Sequence, residues 1–388
     1  MKRLVTGLLV LASVLLIVSC GGKSEETDVL KVGLIVSAAG ANDNGYNEFA
    51  INGLNSVAEK YSVTTKVVDN ADDVPGSLTL LATAGYDLIF SLEYNFDALI
   101  NNDGSGKSIA EQFPETTFVI FNAFANTAAD GSKSQPNVIE VLFSVNEGSF
   151  LAGALSVLVN ENADVLFGDD YDFVPVDQGR AVGFLGGTAS SGISVFGNGF
   201  ISGVDYEAQK LGVTYDYYSD YAVGFASNPA VAQKIATYYD AGCNIIYAAA
   251  GGVSVAMRNE AKKAGRLCVD VDANQDSQVP GSILTSVLKN TDVPVYDITE
   301  KLVNGRIDSL LGTEIYYSMD SGATGITDLS VIEGFVRSTE EAQSVWTDIK
   351  AEIASLKEQI SSGAIDVIDA QSGEEIDWAA LENVVRKN

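Results

Sequence analysis

Short apolar runs alternate with amphipathic stretches along most of this chain. In the first unit, the apolar residues 31–37 predict a strand, and Phe49, Leu54 and Val57 on one face predict a helix after a polar loop. Strands and helices that alternate in this way form a parallel sheet covered by helices. Further elements of this series are predicted as strands at 63–69, 86–90, 117–121 and 138–143, and as helices at 75–84 and 109–113.

A second series of the same kind follows an acidic, irregular stretch at 163–179, which we expect to be a surface insertion. Because the plan is repeated, and because 388 residues can bury a sizeable core, the chain is predicted to form two lobes. The second series comprises predicted strands at 181–185, 212–217, 244–249 and 267–270, and helices near 194–210, 228–241 and 253–264.

The chain is expected to cross between the lobes more than once. The predicted crossings are a strand that passes into a helix at 138–158, the apolar run 283–289 and the segment 322–328. We therefore assign 29–143 and 289–322 to lobe 1, and 146–286 and 326–388 to lobe 2. A helix is predicted at 293–304, a strand at 313–317, and a C-terminal helix at 340–360 that packs on a lobe or, alternatively, binds a partner.

The N-terminus has the pattern of a bacterial signal peptide. Lys2 and Arg3 precede an apolar run at 4–18 that is too short to be a stable membrane span. The run ends at Cys20, and a cysteine in this position resembles a lipobox, although Ile17 and Val18 fit that motif loosely. We predict a signal peptide at 1–19 and a tether at 20–28 lipidated on Cys20; the alternative is an ordinary secretory signal.

The charge of the chain excludes some partners. The formal net charge is −29, and removal of Lys2 and Arg3 with the signal peptide takes it to −31. Nucleic acid and anionic membrane surfaces attract basic proteins, so neither is an expected partner. The expected contact with the membrane is the lipid anchor alone.

The residues that several kinds of catalysis require are absent from this sequence. The chain has no histidine, which removes Ser-His-Asp triads and most zinc hydrolase sites. Cys243 and Cys268 form no CxxC pair, and a predicted stagger of about four residues, roughly 13 Å, indicates free thiols and no disulfide. The stretch 104–108 resembles the end of a P-loop, but Asn101 stands where the first glycine is required. We predict no metal, no cofactor and no catalysis.

The loop after the first predicted strand is the first candidate binding site, because ligands of open α/β sheets bind beyond the carboxyl ends of the strands. Asn42, Asp43 and Asn47 supply hydrogen-bond donors and acceptors there, and Tyr46 supplies an aromatic face. These groups suit a neutral polar ligand with a flat part. The alternative is a capped turn, with Asp43 or Asn44 at the start of the helix.

Several runs, taken in order, resemble the basic membrane protein family of ABC-transporter substrate-binding lipoproteins, which includes a spirochaetal receptor for purine nucleosides. They cover about residues 31–335. The matching runs are Asn42-Asp-Asn-Gly-Tyr-Asn47, Asn146-Glu-Gly-Ser-Phe-Leu-Ala-Gly153, Val182-Gly-Phe-Leu-Gly-Gly187, Phe196-Gly-Asn-Gly-Phe200, Ala250-Gly-Gly252, Val269-Asp-Val-Asp272 and Leu284-Thr-Ser-Val-Leu-Lys-Asn290.

The resemblance implies a type I periplasmic-binding-protein fold, in which two α/β lobes close on a nucleoside in the cleft between them. By position, Tyr46 and Phe196 resemble the two aromatic residues that sandwich the base; the alternative for Phe196 is a residue packed in the core. Asp270 resembles the carboxylate that accepts hydrogen bonds from the ribose hydroxyls. Lys289 resembles a donor on the ribose side, and Gly251 would bring the backbone near the sugar.

The chain departs from the family pattern where the base edge would be read. Relatives commonly have Asp where this chain has Ser37 and Asn122, and a small residue where it has Glu93. Because a carboxylate only accepts hydrogen bonds, whereas Asn donates and accepts, the preferred base can differ from the purine of the family.

The resemblance therefore implies a monomeric, lipid-anchored protein at the cell membrane, facing the periplasm or the exterior, that delivers nucleosides to an ABC permease. One alternative is a binding protein for another small polar ligand such as a sugar. Another is a surface adhesin or sensor on the same fold.

Overall fold

The computed structural model describes residues 29–69, 71–93, 95–102, 106–128 and 131–387. The predicted signal peptide, Cys20 and the tether lie outside the described residues, as does part of the stretch 104–108. The strands are β1 Lys31–Ile35, β2 Thr64–Val68, β3 Leu88–Ser91, β4 Thr117–Phe121, β5 Val138–Phe143, β6 Ala181–Gly186, β7 Tyr215–Asp220, β8 Cys243–Ala249, β9 Leu267–Asp272, β10 Ile283–Lys289, β11 Glu314–Tyr317, β12 Thr324–Ile326 and β13 Val384–Lys387.

Helices lie between most of these strands, as the alternating pattern predicts. The α-helices are α1 Tyr46–Lys60, α2 Val74–Thr83, α3 Asp97–Ile100, α4 Ile109–Gln112, α5 Val145–Glu161, α6 Ala163–Leu166, α7 Ser191–Leu211, α8 Pro229–Asp240, α9 Val253–Ala264, α10 Asp292–Val303, α11 Ser330–Glu333 and α12 Glu340–Ser361. Short 3₁₀ helices occupy Ala71–Asp73, Ile307–Ser309, Met319–Ser321 and Ala370–Ser372.

The strands form two sheets. The first has the order β11-β5-β4-β3-β1-β2, and all of its strands are parallel. The second has the order β12-β10-β9-β8-β6-β7-β13 and is parallel except for β12, which runs antiparallel to β10. This arrangement confirms the predicted two-lobed type I fold, and we refer to the lobes of the first and second sheets as lobe 1 and lobe 2.

The chain passes between the sheets at three places. It leaves the first sheet after β5, returns to it after β10 through α10, which packs on α1, and leaves again between β11 and β12. The strands divide between the sheets much as the predicted crossings require. The residue boundaries of the lobes stay a prediction.

The predicted surface insertion is wrong for its middle part. Phe167 is buried and its ring lies 4.7 Å from that of Tyr171, whose hydroxyl donates to the carbonyl of Gly281 at 2.7 Å. The side chain of Asn244 bonds both backbone groups of Val174, each at 2.9 Å. Apolar residues between the acidic ones therefore attach this segment to lobe 2.

Cys243 and Cys268, the two cysteines among the described residues, are buried and form no disulfide, as predicted. Cys268 lies opposite Ile246 in the register of β8 and β9, so the offset from Cys243 is three residues and not four. Burial raises the pKa of both thiols, because a thiolate is disfavoured away from water. Both groups are therefore core residues.

Candidate functional site

A cavity of about 1140 Å³ lies between the two sheets, beyond the carboxyl ends of their strands. This is the position where open α/β sheets bind ligands. Both lobes contribute to its wall. The lining residues of lobe 1 include Ser37, Asp43, Tyr46, Glu93 and Asn122. Those of lobe 2 and of the crossing strand β10 include Thr188, Phe225, Gly251, Arg258, Asp270, Asp272, Gln275 and Lys289.

The loop after β1 is held by two side chains of its own sequence. Asn47 is fully buried; its Oδ1 accepts from the Ser37 backbone N–H, and its Nδ2 donates to Ser37 Oγ and to the carbonyl of Gly40, all at 2.9 Å. The Asp43 carboxylate accepts hydrogen bonds from three backbone N–H groups at the start of α1. The N-terminus of a helix favours a negative charge of this kind. The N-cap of α1 is Gly45 and neither Asp43 nor Asn44, but Asp43 still binds N–H groups of the first helical turn, and it also lines the cavity.

Tyr46 begins α1 and lines the cavity. Its hydroxyl accepts a hydrogen bond from Asn122 Nδ2 at 2.7 Å, and Asn122 has a left-handed backbone with φ of 58°. Glu93 Oε1 accepts from the backbone N–H of Ala38 at 2.5 Å. Polar contacts thus fix the lobe 1 wall and hold the tyrosine ring in one orientation.

Asp270 is the buried carboxylate of the lobe 2 wall, with 1 % of its surface exposed. Its Oδ1 accepts from the backbone N–H of Val271 at 2.9 Å, and its Oδ2 lies 3.1 Å from Nε of Arg258 on α9. Burial raises the pKa of Asp270, and the Arg258 charge opposes that rise. Each oxygen keeps lone-pair capacity for a ligand hydroxyl.

Lys289, at the end of β10, lies among aromatic rings. Its Nζ is 5.3 Å from the ring centroids of Tyr46 and Phe143 and 5.5 Å from that of Phe196. Burial lowers the pKa of Lys289 to about 8, whereas the Asp272 charge opposes that change. Burial likewise raises the pKa of Asp272 to about 6, against the effect of Lys289.

Two titratable groups with shifted pKa values in one cleft are also found in enzyme active sites. No group of three or more side chains among the described residues is suited to hold a metal ion. Geometry alone does not separate catalysis from binding here, and the relationship to known proteins decides between them.

The sequence profile of the Bmp family, described as ABC transporter substrate-binding protein PnrA-like, matches residues 29–369. The chain belongs to this family. It is an ABC transporter substrate-binding protein and not an enzyme.

Named relatives agree with this assignment. The protein is 24% identical over 387 residues to the "ABC transporter nucleoside-binding protein BmpA" of Lactococcus lactis subsp. cremoris, covering 92% of this chain and 96% of that protein. It is 26% identical over 287 residues to "Basic membrane protein A1" of Borrelia garinii subsp. bavariensis, covering 73% and 76%. A solute-binding protein of an ABC transporter system from Aeropyrum pernix K1 superposes with a TM-score of 0.67 at 20% identity, covering 91% and 95%, and so shares the fold.

Substrate-binding proteins of ABC transporters act outside the cytoplasm. Among the residues that the structure describes, no helix combines the length and the hydropathy required to cross a bilayer.

The substrate-binding protein brings most of the predicted site residues to one cavity. Asn42, Asn47 and Phe196 are the predicted residues that do not line it. Asn42 is exposed, Asn47 shapes the loop of Ser37, and Phe196 is 2% exposed, with its ring 6.5 Å from that of Tyr247. The predicted role of Phe196 in stacking stays a prediction. The predicted residues that line the cavity are Ser37, Asp43, Tyr46, Glu93, Asn122, Gly251, Asp270 and Lys289.

Sequence reasoning missed much of the cavity wall, including Asp272, Arg258, Gln275 and Phe225. Asp272 could have been found, because residues two apart on a strand face the same side and Asp270 was already a candidate. Arg258 and Gln275 show no pattern of their own, since each reaches the site only through tertiary packing. Phe225 lies in the loop between β7 and α8, where hydrophobic periodicity carries no signal.

Proposed function

We propose that this substrate-binding protein captures nucleosides in the cavity between its sheets and delivers them to an ABC permease as a lipid-anchored monomer. One observation carries the proposal: a buried carboxylate, Asp270, and an aromatic ring, Tyr46, lie on opposite walls of one cavity. A nucleoside offers a partner for each, a ribose diol and a flat base.

The carboxylate suits the diol. Two adjacent hydroxyls can both donate to one carboxylate, and hydrogen bonds to an ionised acceptor are about twice as strong as neutral ones. The Arg258 charge favours the ionised form of Asp270, and the Val271 N–H and the Arg258 Nε fix its orientation. The side chain is thus prepared for the ligand before binding.

The aromatic ring suits the base. Stacking of a base on an aromatic side chain contributes about 1–3 kcal/mol in single-strand binders and tolerates different bases. Ser37 and Asn122 line the same wall as Tyr46, so a base on that ring would meet neutral polar groups along its edge. We therefore expect several nucleosides to bind, with the order among them set by these two residues.

The deciding experiment is calorimetric titration of the full-length protein with adenosine, guanosine, inosine, cytidine, uridine and ribose, after unfolding and refolding to remove bound ligand. We expect nucleosides to bind far more tightly than ribose. The isosteric substitution Asp270→Asn should weaken nucleoside binding at least tenfold. Asp177→Asn, an exposed substitution outside the cavity wall, should change nothing. A folded sample that binds no nucleoside contradicts the proposal, and tight ribose binding would move it to sugars.

The anchor is tested separately. Cells supplied with a clickable palmitate analogue should label the wild-type protein, and Cys20→Ser should abolish the label. Equal labelling of the two proteins would contradict acylation at Cys20.

A further inference from the structure

The first crossing between the lobes turns from strand to helix at a single residue. β5 ends at Phe143, opposite Tyr317 of β11, and α5 begins at Val145. Ser144 between them has φ of −74° and ψ of 57°, which is neither a strand nor an α-helical conformation. Its N–H still donates to the Tyr317 carbonyl of lobe 1 at 3.0 Å. A change in the angle between the lobes therefore requires backbone rotation at Ser144.

The start of α5, just beyond this residue, is packed firmly into lobe 2. A Cβ at Gly199 on α7 would lie 2.4 Å from the carbonyl oxygen of Asn146. A Cβ at Gly148 on α5 would lie 2.5 Å from the carbonyl oxygen of Gly325 on β12. Backbones in such close contact cannot slide past each other without breaking the packing. Asn146 therefore moves with lobe 2, whereas Phe143 moves with lobe 1.

A segment that follows α12, residues 363–373, forms hydrogen bonds on both sides of this crossing, and we call it the strap. Asn146 Nδ2 donates to the Val367 carbonyl at 2.7 Å, and Gln371 Nε2 donates to the Phe143 carbonyl at 3.0 Å. Asn146, Val367 and Gln371 are all buried. Because water does not reach these groups, breaking either bond leaves a buried polar atom without a partner, which is costly.

The strap itself belongs to lobe 2. Its 3₁₀ helix Ala370–Ser372 packs on α7, and the Asp369 carboxylate accepts from the Gln371 N–H at 2.8 Å. The Asp369 N–H donates to the Glu374 carboxylate at 2.8 Å. The backbone of Gln371 is thus fixed in lobe 2, while its side chain reaches the last residue of a lobe 1 strand.

The end of β5 also supports the cavity. The ring of Phe143 lies 5.3 Å from Nζ of Lys289, which lines the cavity wall. A shift of this strand end therefore changes the surroundings of a cavity side chain. The Gln371 bond and the cavity are connected through one residue.

We propose that the strap is a non-covalent fourth connection between the lobes, which resists rotation at Ser144 and so limits the opening of the cleft. Gln371 is the residue that joins it to lobe 1. The three covalent crossings keep the lobes together, and the strap sets how readily they rotate. This role concerns the unliganded protein and does not depend on which ligand the cavity binds.

Spin-label distance measurements on the full-length, unliganded protein test the proposal. Nitroxide labels are attached through Glu59→Cys on α1 and Lys262→Cys on α9, two exposed positions on different lobes, in a protein that also carries Cys20→Ser. Cys243 and Cys268 are buried and are not expected to react. Pulsed electron resonance then gives the distribution of distances between the lobes.

Gln371→Met removes the donor and keeps a side chain of similar length. It should raise the ratio of open to closed molecules by about twofold to tenfold, the factor expected for one hydrogen bond. Gln371→Glu keeps the shape of the side chain and also lacks the donor, so it should act in the same direction and serves if Gln371→Met does not fold. The matched control is Gln343→Met, an exposed glutamine of α12 whose Nε2 donates within lobe 2 to the Arg337 carbonyl.

The control should leave the distance distribution unchanged. If a folded Gln371 variant gives the same distribution as the wild type, the strap does not limit opening and the proposal is wrong. It is also wrong if Gln343→Met shifts the distribution as much as Gln371→Met does. Because no ligand is added, a failure to bind nucleosides would contradict the proposed function and leave this result intact.

Discussion

Lys289 combines a charge, an aromatic enclosure and a place on the cavity wall. Its ammonium lies near three aromatic rings. The negative charge of Asp272 stabilises the ammonium but offsets only part of the cost of burying it, so the pKa of Lys289 stays below its usual value. The pKa of about 8 lies within the range where binding can be measured. The charge state of one side chain can therefore be related to affinity.

We predict that nucleoside affinity falls above pH 8. If the ligand contacts the Lys289 ammonium, loss of its proton should lower affinity by up to tenfold for each pH unit between about 8 and 10. Calorimetry at several pH values measures this slope. In Lys289→Met, binding should be weaker and level over the same range. A level profile in the wild type would show that the ligand does not depend on this charge.

Whereas nucleoside affinity should fall as the pH rises, the stability of the unliganded protein should increase. The folded pKa of Lys289 lies below the unfolded value of 10.5, so the unfolded state binds more protons between these two values. Stability contributed by this residue therefore rises with pH across that window. Subtracting the profile of Lys289→Met isolates the effect.

At the residue level, the sequence identified the chemistry of the site better than its geometry. Tyr46 at the start of α1 and Lys289 at the end of β10 line the cavity, and so does Asp270, two residues before the end of β9. Phe196 has the right residue type, yet its helix packs it inward against Tyr247. The direction in which a helical side chain points depends on how the helix is rotated on its sheet, and tertiary packing sets that rotation.

At the scale of elements, the contact between α5 and α7 positions the crossing from lobe 1 to lobe 2. A Cβ at Gly153 on α5 would lie 2.0 Å from the carbonyl oxygen of Phe200, and one at Gly203 on α7 would lie 2.0 Å from that of Phe150. Glycines on both helices therefore allow the two backbones to approach closely.

We predict that Gly153→Ala destabilises the protein by about 1–3 kcal/mol, because the clash is with backbone and not with a movable side chain. Alanine is the better helix former by about 1 kcal/mol, so any net loss must come from packing. Chemical denaturation measures the change. Gly192→Ala, in α7 with no atom near its Cβ, should be neutral or slightly stabilising. Equal effects of the two substitutions would contradict a role for close packing.

Most elements followed from the hydrophobic pattern, and the exceptions have physical causes. The strands β4 and β5 have the predicted bounds, and β10 occupies the run 283–289 that was predicted as a crossing. A strand predicted from residue 212 begins at Tyr215, because α7 continues to Leu211 and Gly212 ends it with a left-handed backbone. β13 was not predicted, since four residues with two exposed and two half-exposed side chains give no periodic signal and depend on β7 as a template.

At the scale of the whole molecule, a hydrogen bond joins the lobes across the cavity. Gln275, in the loop after β9, donates from Nε2 to the carbonyl of Asn44 at 2.8 Å, just before α1 begins. The backbone of Gln275 is itself held by the Ser286 hydroxyl at 3.0 Å. This contact favours the arrangement in which the two walls face each other.

We predict that Gln275→Ala speeds release of bound nucleoside by about twofold to tenfold, because one hydrogen bond contributes about 0.5–1.5 kcal/mol. Stopped-flow measurements give the dissociation rate, and X-ray scattering of the unliganded protein should show a larger radius of gyration. The control is Gln278→Ala. Gln278 lies in the same loop and also lines the cavity, but no hydrogen bond joins its side chain to lobe 1 among the described residues. Unchanged rates and dimensions in Gln275→Ala would show that closure does not depend on this bond.

The order of strands in the two sheets has a consequence for how the protein is made. The first sheet is complete only when β11 at 314–317 joins β5, and the second only when β13 at 384–387 joins β7. Contacts between residues so far apart in sequence close late, because the chain entropy lost in joining them comes before their stabilisation. When the ribosome begins to add the last quarter of the chain, neither sheet has all of its strands, and the second sheet lacks β13 until synthesis is almost complete. Final folding therefore follows synthesis, which leaves a growing chain loose enough to be threaded through a secretion channel.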